Sequence, residues 1–278
     1  MIPPFEILGK TFAIYPLLAM VGIFVAGGFA CYQTSRRKLD DNDMIVLLLV
    51  AAIGVLVGAH LLYALTQPSL TWQALQMLFA LEFTQDTLTH LMAAFGGSVF
   101  YGGLLGGLAA GGIYAKKRNL SPVFRDIVAV SIPLFHVFGR IGCFLGGCCY
   151  GIPCPVGFTY TQNPIPMANG VRRFPVQLVE AAFCLGLFLW LYVQLRAGKK
   201  GLLSRYLFVY SLGRFLLEFL RGDSYRGFLW RFSTSQWISL LLFLAVSVFW
   251  IIQRIKSRSL REQKVQTSTH SPSQREIT

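Results

Sequence analysis

Long apolar stretches recur along the chain, separated by short basic clusters, and this alternation leaves few folds open. Crossing a bilayer takes about 20 apolar residues per helix, and about seven stretches qualify. They are 11–32, 45–65, 91–114, 126–146, 176–195, 202–220 and 235–253. Only 13% of the 278 residues are charged and 54% are hydrophobic, whereas soluble domains carry about 25% charged residues. An ordinary soluble enzyme and a disordered chain are both excluded. The expected fold is an all-α integral membrane protein with about seven transmembrane helices. It forms one polytopic domain over 1–254, followed by a polar tail over 255–278 that is expected to lack structure.

The basic clusters follow alternate spans: Arg36, Arg37 and Lys38; Lys116, Lys117, Arg118 and Arg125; Arg196, Lys199, Lys200 and Arg205; then Arg254, Lys256, Arg258, Arg261 and Lys264. The positive-inside rule puts these in the cytoplasm, hence the N-terminus outside and the C-terminus inside. The net charge of +13 therefore reads as a topology signal and an attraction to anionic lipid. No folded module of interleaved basic and aromatic residues is visible, so no nucleic-acid partner is expected. The first span, flanked by the single basic residue Lys10, does not read as a cleaved signal. The segment 71–90 is too polar to span; Trp72, Leu75, Leu78, Phe79 and Leu81 fit either an interfacial helix or a plain loop. In the third span Gly103, Gly107 and Gly111 share one helical face, which suits close backbone approach or a wall beside a bulky lipid.

Ionisable groups at bilayer depth are costly unless paired or wet, so those inside spans carry the most information. Tyr210, Arg214, Glu218 and Arg221 form one stripe of the sixth span, and Arg214 can pair with Glu218 along the helix. The stripe is either a structural ion pair or the wall of a polar cavity. In the fourth span His136, Arg140 and Cys143 share a face, and Arg140 has no acidic neighbour within a turn. Its partner must come from another helix or from a ligand. Arginine suits bidentate phosphate binding, so Arg140 and Arg214 together point to a phosphate-bearing lipid. Arg172, Arg173, Arg221, Arg226 and Arg231 make the outer side basic, for anionic headgroup capture or simple surface anchoring. Glu180 opens the fifth span just after Pro175 and Gln177, either capping the helix or facing the same cavity.

Cys143, Cys148, Cys149 and Cys154 crowd together near His136. Metal binding, a disulfide from Cys148 or Cys149 to Cys154, and small packed residues are all open readings. The spacing C-x4-C-C-x4-C is not a usual zinc pattern, so neither a metal nor another cofactor is expected.

The run Gly139-Arg140-Ile141-Gly142-Cys143-Phe144 through Gly151 resembles the signature of the prolipoprotein diacylglyceryl transferase family, roughly G-R-x-G-N-F-x-N-x-E-x-x-G. Matches follow in order along the chain. Tyr15 stands where the family has Trp-Tyr-Gly, and Phe100 through Leu104 is similar to F-H-G-G-L. Asp126 precedes the signature arginine as in the family. Pro175 through Glu180 is similar to P-S-Q-L-Y-E, and Tyr210 through Arg221 to Y-x-x-x-R-F-x-x-E-F-x-R. Ser235 through Ser239 is similar to G-Q-x-x-S.

The resemblance implies transfer of the diacylglyceryl group of phosphatidylglycerol to the lipobox cysteine of a prolipoprotein, releasing glycerol phosphate. It implies a multi-pass protein of the cell membrane among membrane lipids, with its active site toward the extracytoplasmic side. Arg140 and Arg214 would hold the phosphate, aided by Tyr15, Asp126, Gly151, Glu180, Tyr210, Glu218 and Arg221. The sequence departs from the family where Tyr101 replaces a histidine, Cys143 an asparagine, Cys148 a glutamate and His60 an arginine. A phenol ionises near 10, so Tyr101 is expected to position substrate while His136, one turn from Arg140, relays the proton. Other readings are a paralogue with a different acceptor, a lipid transporter and a thiol oxidoreductase. No inverted repeat supports the transporter.

Overall fold

The computed structural model describes residues 5–7, 10–12, 14–81, 84–163, 165–223 and 227–269. The chain is helical almost throughout: α1 (Ile14–Arg36), α2 (Asp41–Thr66), α3 (Pro68–Phe79), α4 (Gln85–Phe95), α5 (Phe100–Lys117), α6 (Pro122–Gly146), α7 (Val176–Arg196), α8 (Leu202–Leu217) and α9 (Thr234–Thr269). Two-stranded ribbons, the longest strand being Pro153–Thr159, are the only sheets among the described residues. By length and apolarity α1, α2, α6, α7 and α9 can each cross a membrane, and α4 with α5 qualify only as a pair bent by 83°. The architecture is that of an all-α multi-pass membrane protein. The 16-residue α8 falls short of that length and runs on into a tight turn over Glu218–Leu220.

Two expectations change and one open reading is resolved. The stretch 91–114 is not one straight span, because the helix breaks between Phe95 and Phe100. The break has a physical cause in α2. His60 Nδ1 lies 2.7 Å from the Phe95 carbonyl and 2.8 Å from that of Gly97, and the Val99 amide donates to the Ala59 carbonyl at 3.1 Å. The residue standing at the family's arginine position is thus a corner brace. The segment 71–90 resolves in favour of helix, supplying most of α3 and the start of α4. The tail is not structureless from 255: α9 continues to Thr269, and the remainder lies outside the described residues. Residues over 256–266 are mainly Lys, Arg, Glu and Gln, all of high helix propensity.

The glycines of α5 let two backbones meet. A Cβ on Gly58 would collide with the Gly102 carbonyl, and one on Gly54 with the Gly106 carbonyl and, at 2.6 Å, the Ala110 methyl. Val55 covers Gly103 and Gly107. Small-residue contact of this kind is how helices associate where apolar burial gives no advantage over lipid. The glycine wall is therefore filled by α2 and does not line a lipid cavity. Large side chains such as Phe24, Leu49, Ile53 and Ile251 stay exposed on the outer faces, as a lipid-facing surface requires.

Asp126, expected at the substrate, caps a helix instead. Its Oδ1 accepts from the Leu202 amide at 2.8 Å and its Oδ2 from the Gly201 amide at 3.3 Å, satisfying the free N–H groups that open α8. It lies fourteen residues before Arg140 on the same helix, so about 21 Å away along its axis. Asp126→Ala should cost about 1–2 kcal/mol of stability. Thermal unfolding in detergent reads this as a lowered midpoint, while lipid turnover by the folded fraction stays at the wild-type level.

Candidate active site

Arg140 finds its partner on another helix. Its Nη2 lies 3.0 Å from Glu180 Oε1. The same oxygen is 3.8 Å from Nε of Arg214, whose Nη2 lies 2.5 Å from Glu218 Oε2. Arg221 Nη1 reaches that Glu218 oxygen at 3.5 Å and clasps Asp223 through Nε at 3.0 Å and Nη2 at 2.6 Å. Arginines of α6, α8 and the turn after it thus alternate with carboxylates, and the charges of the row balance. Glu180, Arg214 and Glu218 are buried, while Arg140 keeps 15% of its side chain exposed. Glu180 sits in the first turns of α7, so the capping and cavity readings of its carboxylate merge in one group.

The row is anchored to α9 by a reciprocal cap. Ser233 Oγ donates to Glu218 Oε1 at 2.9 Å and accepts from the Gln236 amide at 3.2 Å. Gln236 Oε1 accepts from the Ser233 amide at 2.9 Å. The S-x-x-Q spacing of a capping box was present in the sequence and marks this helix start. Tyr101, on the first turn of α5, is buried with its hydroxyl against Ser239 Oγ of α9. Among the described residues, Arg214 Nη1, the Tyr210 hydroxyl and Gln236 Nε2 are buried with no hydrogen-bond partner. Tyr210 and Arg214 are one turn apart on α8.

His136 does not reach Arg140 by any hydrogen bond among the described residues. Its ring is enclosed by Phe100, Tyr210 and Phe135, with centroids at 4.5, 5.2 and 6.1 Å, and its Nδ1 is 4.0 Å from Cys184 Sγ. Tyr15, on the first turn of α1, packs over Gly142 and Gly146 of α6. Gly151 pairs with Arg221 in an isolated bridge, and a Cβ there would strike the Phe174 carbonyl. Arg173, expected to help catch headgroups, is buried. It donates to the carbonyls of Ala168, Gly151 and Met167 and stacks 4.3 Å over the Tyr150 ring.

The cysteines divide. Cys143, Cys148 and Cys149 place their Sγ atoms within 4.8 Å of one another, and Cys154 is not in the group. Beyond the end of α6, the Cys149 thiol is drawn well below its ordinary pKa, chiefly by hydrogen bonds from the Cys143 and Cys148 thiols. Burial opposes this, and the Arg221 and Arg140 guanidinium groups add to it. Gln177 secures the loop by donating from Nε2 to the Cys148 carbonyl at 2.8 Å and to the Tyr160 hydroxyl at 3.2 Å. Asn163 Nδ2 holds the Gly147 carbonyl at 2.6 Å. Nothing in the local sequence announces Asn163, whose role depends on a contact sixteen residues away.

Residues 4–252 match the family described as prolipoprotein diacylglyceryl transferase. The chain is 32% identical over 251 residues to the phosphatidylglycerol–prolipoprotein diacylglyceryl transferase of Clostridium tetani, covering 88% of this chain and 95% of that protein. It is 29% identical to the second such enzyme of Clostridium perfringens, over 93% of this chain and 98% of that one. With the enzyme of Campylobacter jejuni it shares 30% identity over 91% and 93%. The chain belongs to the prolipoprotein diacylglyceryl transferase family and is a transferase.

Removing Glu180 leaves two guanidinium groups facing each other at low dielectric. Breaking a buried ion pair costs about 3–5 kcal/mol, so Glu180→Ala should lower the detergent melting temperature strongly. Adding Arg140→Met should recover part of that loss. Strictly additive costs in the double variant would show that the two side chains do not interact.

Proposed function

We propose that this transferase moves the diacylglyceryl group of phosphatidylglycerol onto the lipobox cysteine of a prolipoprotein, forming a thioether and releasing glycerol phosphate. The observation that carries this reading is two of the three buried, unsatisfied groups on α8, Arg214 Nη1 and the Tyr210 hydroxyl one turn before it; the third is the Tyr206 hydroxyl. Buried donors without partners mark where a ligand oxygen belongs. Arginine has five donors, so the two carboxylates beside Arg214, met through Nε and Nη2, leave Nη1 for a phosphate. The family relationship supplies the donor and the acceptor, since the relatives are named for phosphatidylglycerol and prolipoprotein.

The thiolate of the acceptor attacks the glyceryl carbon that bears the phosphate oxygen. A carbon–sulfur bond forms, the carbon–oxygen bond breaks, and the electron pair leaves on glycerol phosphate. Arg140 and Arg214 stabilise the charge that grows on that oxygen. Glu180 fixes both guanidinium groups, and Glu218 orients Arg214 rather than taking the proton. Tyr101, held by Ser239, positions substrate. The enclosure of His136 by aromatic rings supports a packing role for it over a relay.

Arg36, the Lys116–Lys117 pair and Arg196 end α1, α5 and α7, whereas Tyr15, Tyr101 and Glu180 lie in the first turns of those same helices. With the basic ends in the cytoplasm, the site faces the extracytoplasmic leaflet of the cell membrane, where a phospholipid headgroup already lies.

The test offers purified protein labelled phosphatidylglycerol and a lipobox peptide. Wild type should yield a lipid-modified peptide and free glycerol phosphate. Arg140→Ala and Arg214→Ala should each cut turnover about 10²-fold, with membrane insertion retained. Tyr101→Phe should lose less than about tenfold, the worth of one hydrogen bond. Near-normal turnover in both arginine variants would remove the phosphate clamp.

A further inference from the structure

The loop that leaves α6 is folded in an unusual way. Gly147 closes the helix at φ 72°, and Cys149 follows at φ 55°. A left-handed backbone costs a residue with a Cβ about 1–2 kcal/mol, and such outliers persist where the surroundings enforce them. The surroundings here do so. Beside the Gln177 and Asn163 clamps, the Cys148 amide donates to the Cys143 carbonyl at 3.1 Å and the Gly222 amide to the Tyr150 carbonyl at 2.9 Å. The result is that two consecutive cysteines turn back onto a third, five and six residues earlier in the chain. Cys143 is buried, and Cys148 and Cys149 are half-buried.

We infer that Cys143, Cys148 and Cys149 form a three-sulfur zinc site whose open fourth position takes the acceptor thiol. The spacing rules for zinc describe paired C-x-x-C knuckles, and here the folded-back helix end does the same work. Zinc–sulfur bonds of about 2.3 Å in a tetrahedron set sulfur atoms about 3.8 Å apart. The three Sγ atoms already lie within 4.8 Å of one another, so closing on an ion needs shifts of about 1 Å or less. A disulfide would use two of the sulfurs and strand the third. Cys143 also lies three residues after Arg140 on α6, which places a metal-held nucleophile beside the phosphate clamp.

The thiol half of this inference rests on the reaction proposed above; the metal site itself does not. An acceptor thiol that enters the fourth position gives up its proton to water, because a metal-coordinated thiol is deprotonated outright. The bound thiolate attacks the glyceryl carbon, the carbon–oxygen bond breaks, and glycerol phosphate leaves next to Arg140. Zinc changes neither its charge nor its other ligands. No side-chain base is then required, which fits a site where Tyr101 stands in place of an imidazole.

The experiment uses the full chain in detergent, reduced and stripped of metal, then titrated with Zn²⁺ and separately with Co²⁺. Wild type should bind one ion per chain, with sulfur-to-cobalt charge-transfer absorption from three thiolates. Cys143→Ser should lose the site and Cys154→Ser should keep it. A lipobox peptide should raise the sulfur absorption further, and the same peptide with serine for cysteine should not. Chelation should cut diacylglyceryl transfer at least tenfold, and Zn²⁺ should restore it. Wild-type protein that takes up no stoichiometric zinc overturns the site, whatever the variants do. Transfer that runs at full rate in zinc-free protein overturns the catalytic role and leaves the proposed reaction standing. Tight zinc binding and a cobalt response to the peptide, with no transfer from phosphatidylglycerol, would uphold the metal site and its capture of a thiol and reject that reaction.

Discussion

One buried carboxylate oxygen holds the functional end of the bundle together. Glu180 Oε1 of α7 stands between a guanidinium of α6 and one of α8. Either arginine alone at this depth would cost several kcal/mol. With the carboxylate between them they are tolerated, and α6, α7 and α8 are fixed relative to one another. The row extends through Glu218 to Ser233, so the start of α9 is tied to the same charges. The first turn of α7 adds its own field, since a helix N-terminus favours negative charge. Balance among these groups also sets what can bind. The row is neutral overall, so an anion that binds there must be met by guanidinium donors the carboxylates leave free.

The remainder of the bundle keeps that row in place without using apolar burial as its main force. Helices in lipid gain little by hiding leucine from more hydrocarbon. The α2–α5 pair is accordingly built from glycine on glycine, with backbone against backbone. Gly213, next to Arg214, works the same way: a Cβ there would run into the Phe183 ring of α7. Polar side chains also meet across helices. Tyr101 reaching Ser239 is one such meeting.

Most of the architecture was legible in the sequence because the bilayer imposes a length and a polarity on each helix. The stripe of Arg214, Glu218 and Arg221 was legible because its members are neighbours on one helix. What was hidden depends on distant partners. Asp126 looks like a site residue until the amides of Gly201 and Leu202 arrive beneath it. His60 looks like a substituted arginine until the α4–α5 corner folds over it. The break at Gly96 is invisible in an apolar profile, since only the carbonyls taken up by His60 reveal it. Arg140 and Glu180 lie forty residues apart, and nothing local chooses between a cap and a counter-ion. Burial was the other blind spot: Arg173 reads as a surface cation, but three carbonyls and an aromatic ring absorb it.

Three of the four departures from the family pattern are best understood together. Tyr101 removes an imidazole, Cys143 removes an amide and Cys148 removes a carboxylate. Taken singly, each removes a nitrogen- or oxygen-bearing side chain that the family pattern carries at that position. Taken together, two of them put sulfur in place of an amide and a carboxylate, three and eight residues after Arg140. A base of the imidazole type acts by accepting the thiol proton as the nucleophile attacks. A thiophilic ion acts earlier, by binding the sulfur and releasing the proton before the lipid is engaged. Once the second device exists, a base at position 101 has no proton to receive, and a phenol that only positions substrate is sufficient. The aromatic enclosure of His136 follows the same logic. A relay needs a path to solvent or to a carboxylate, whereas a packed ring needs only neighbours, and neighbours are what Phe100, Phe135 and Tyr210 provide.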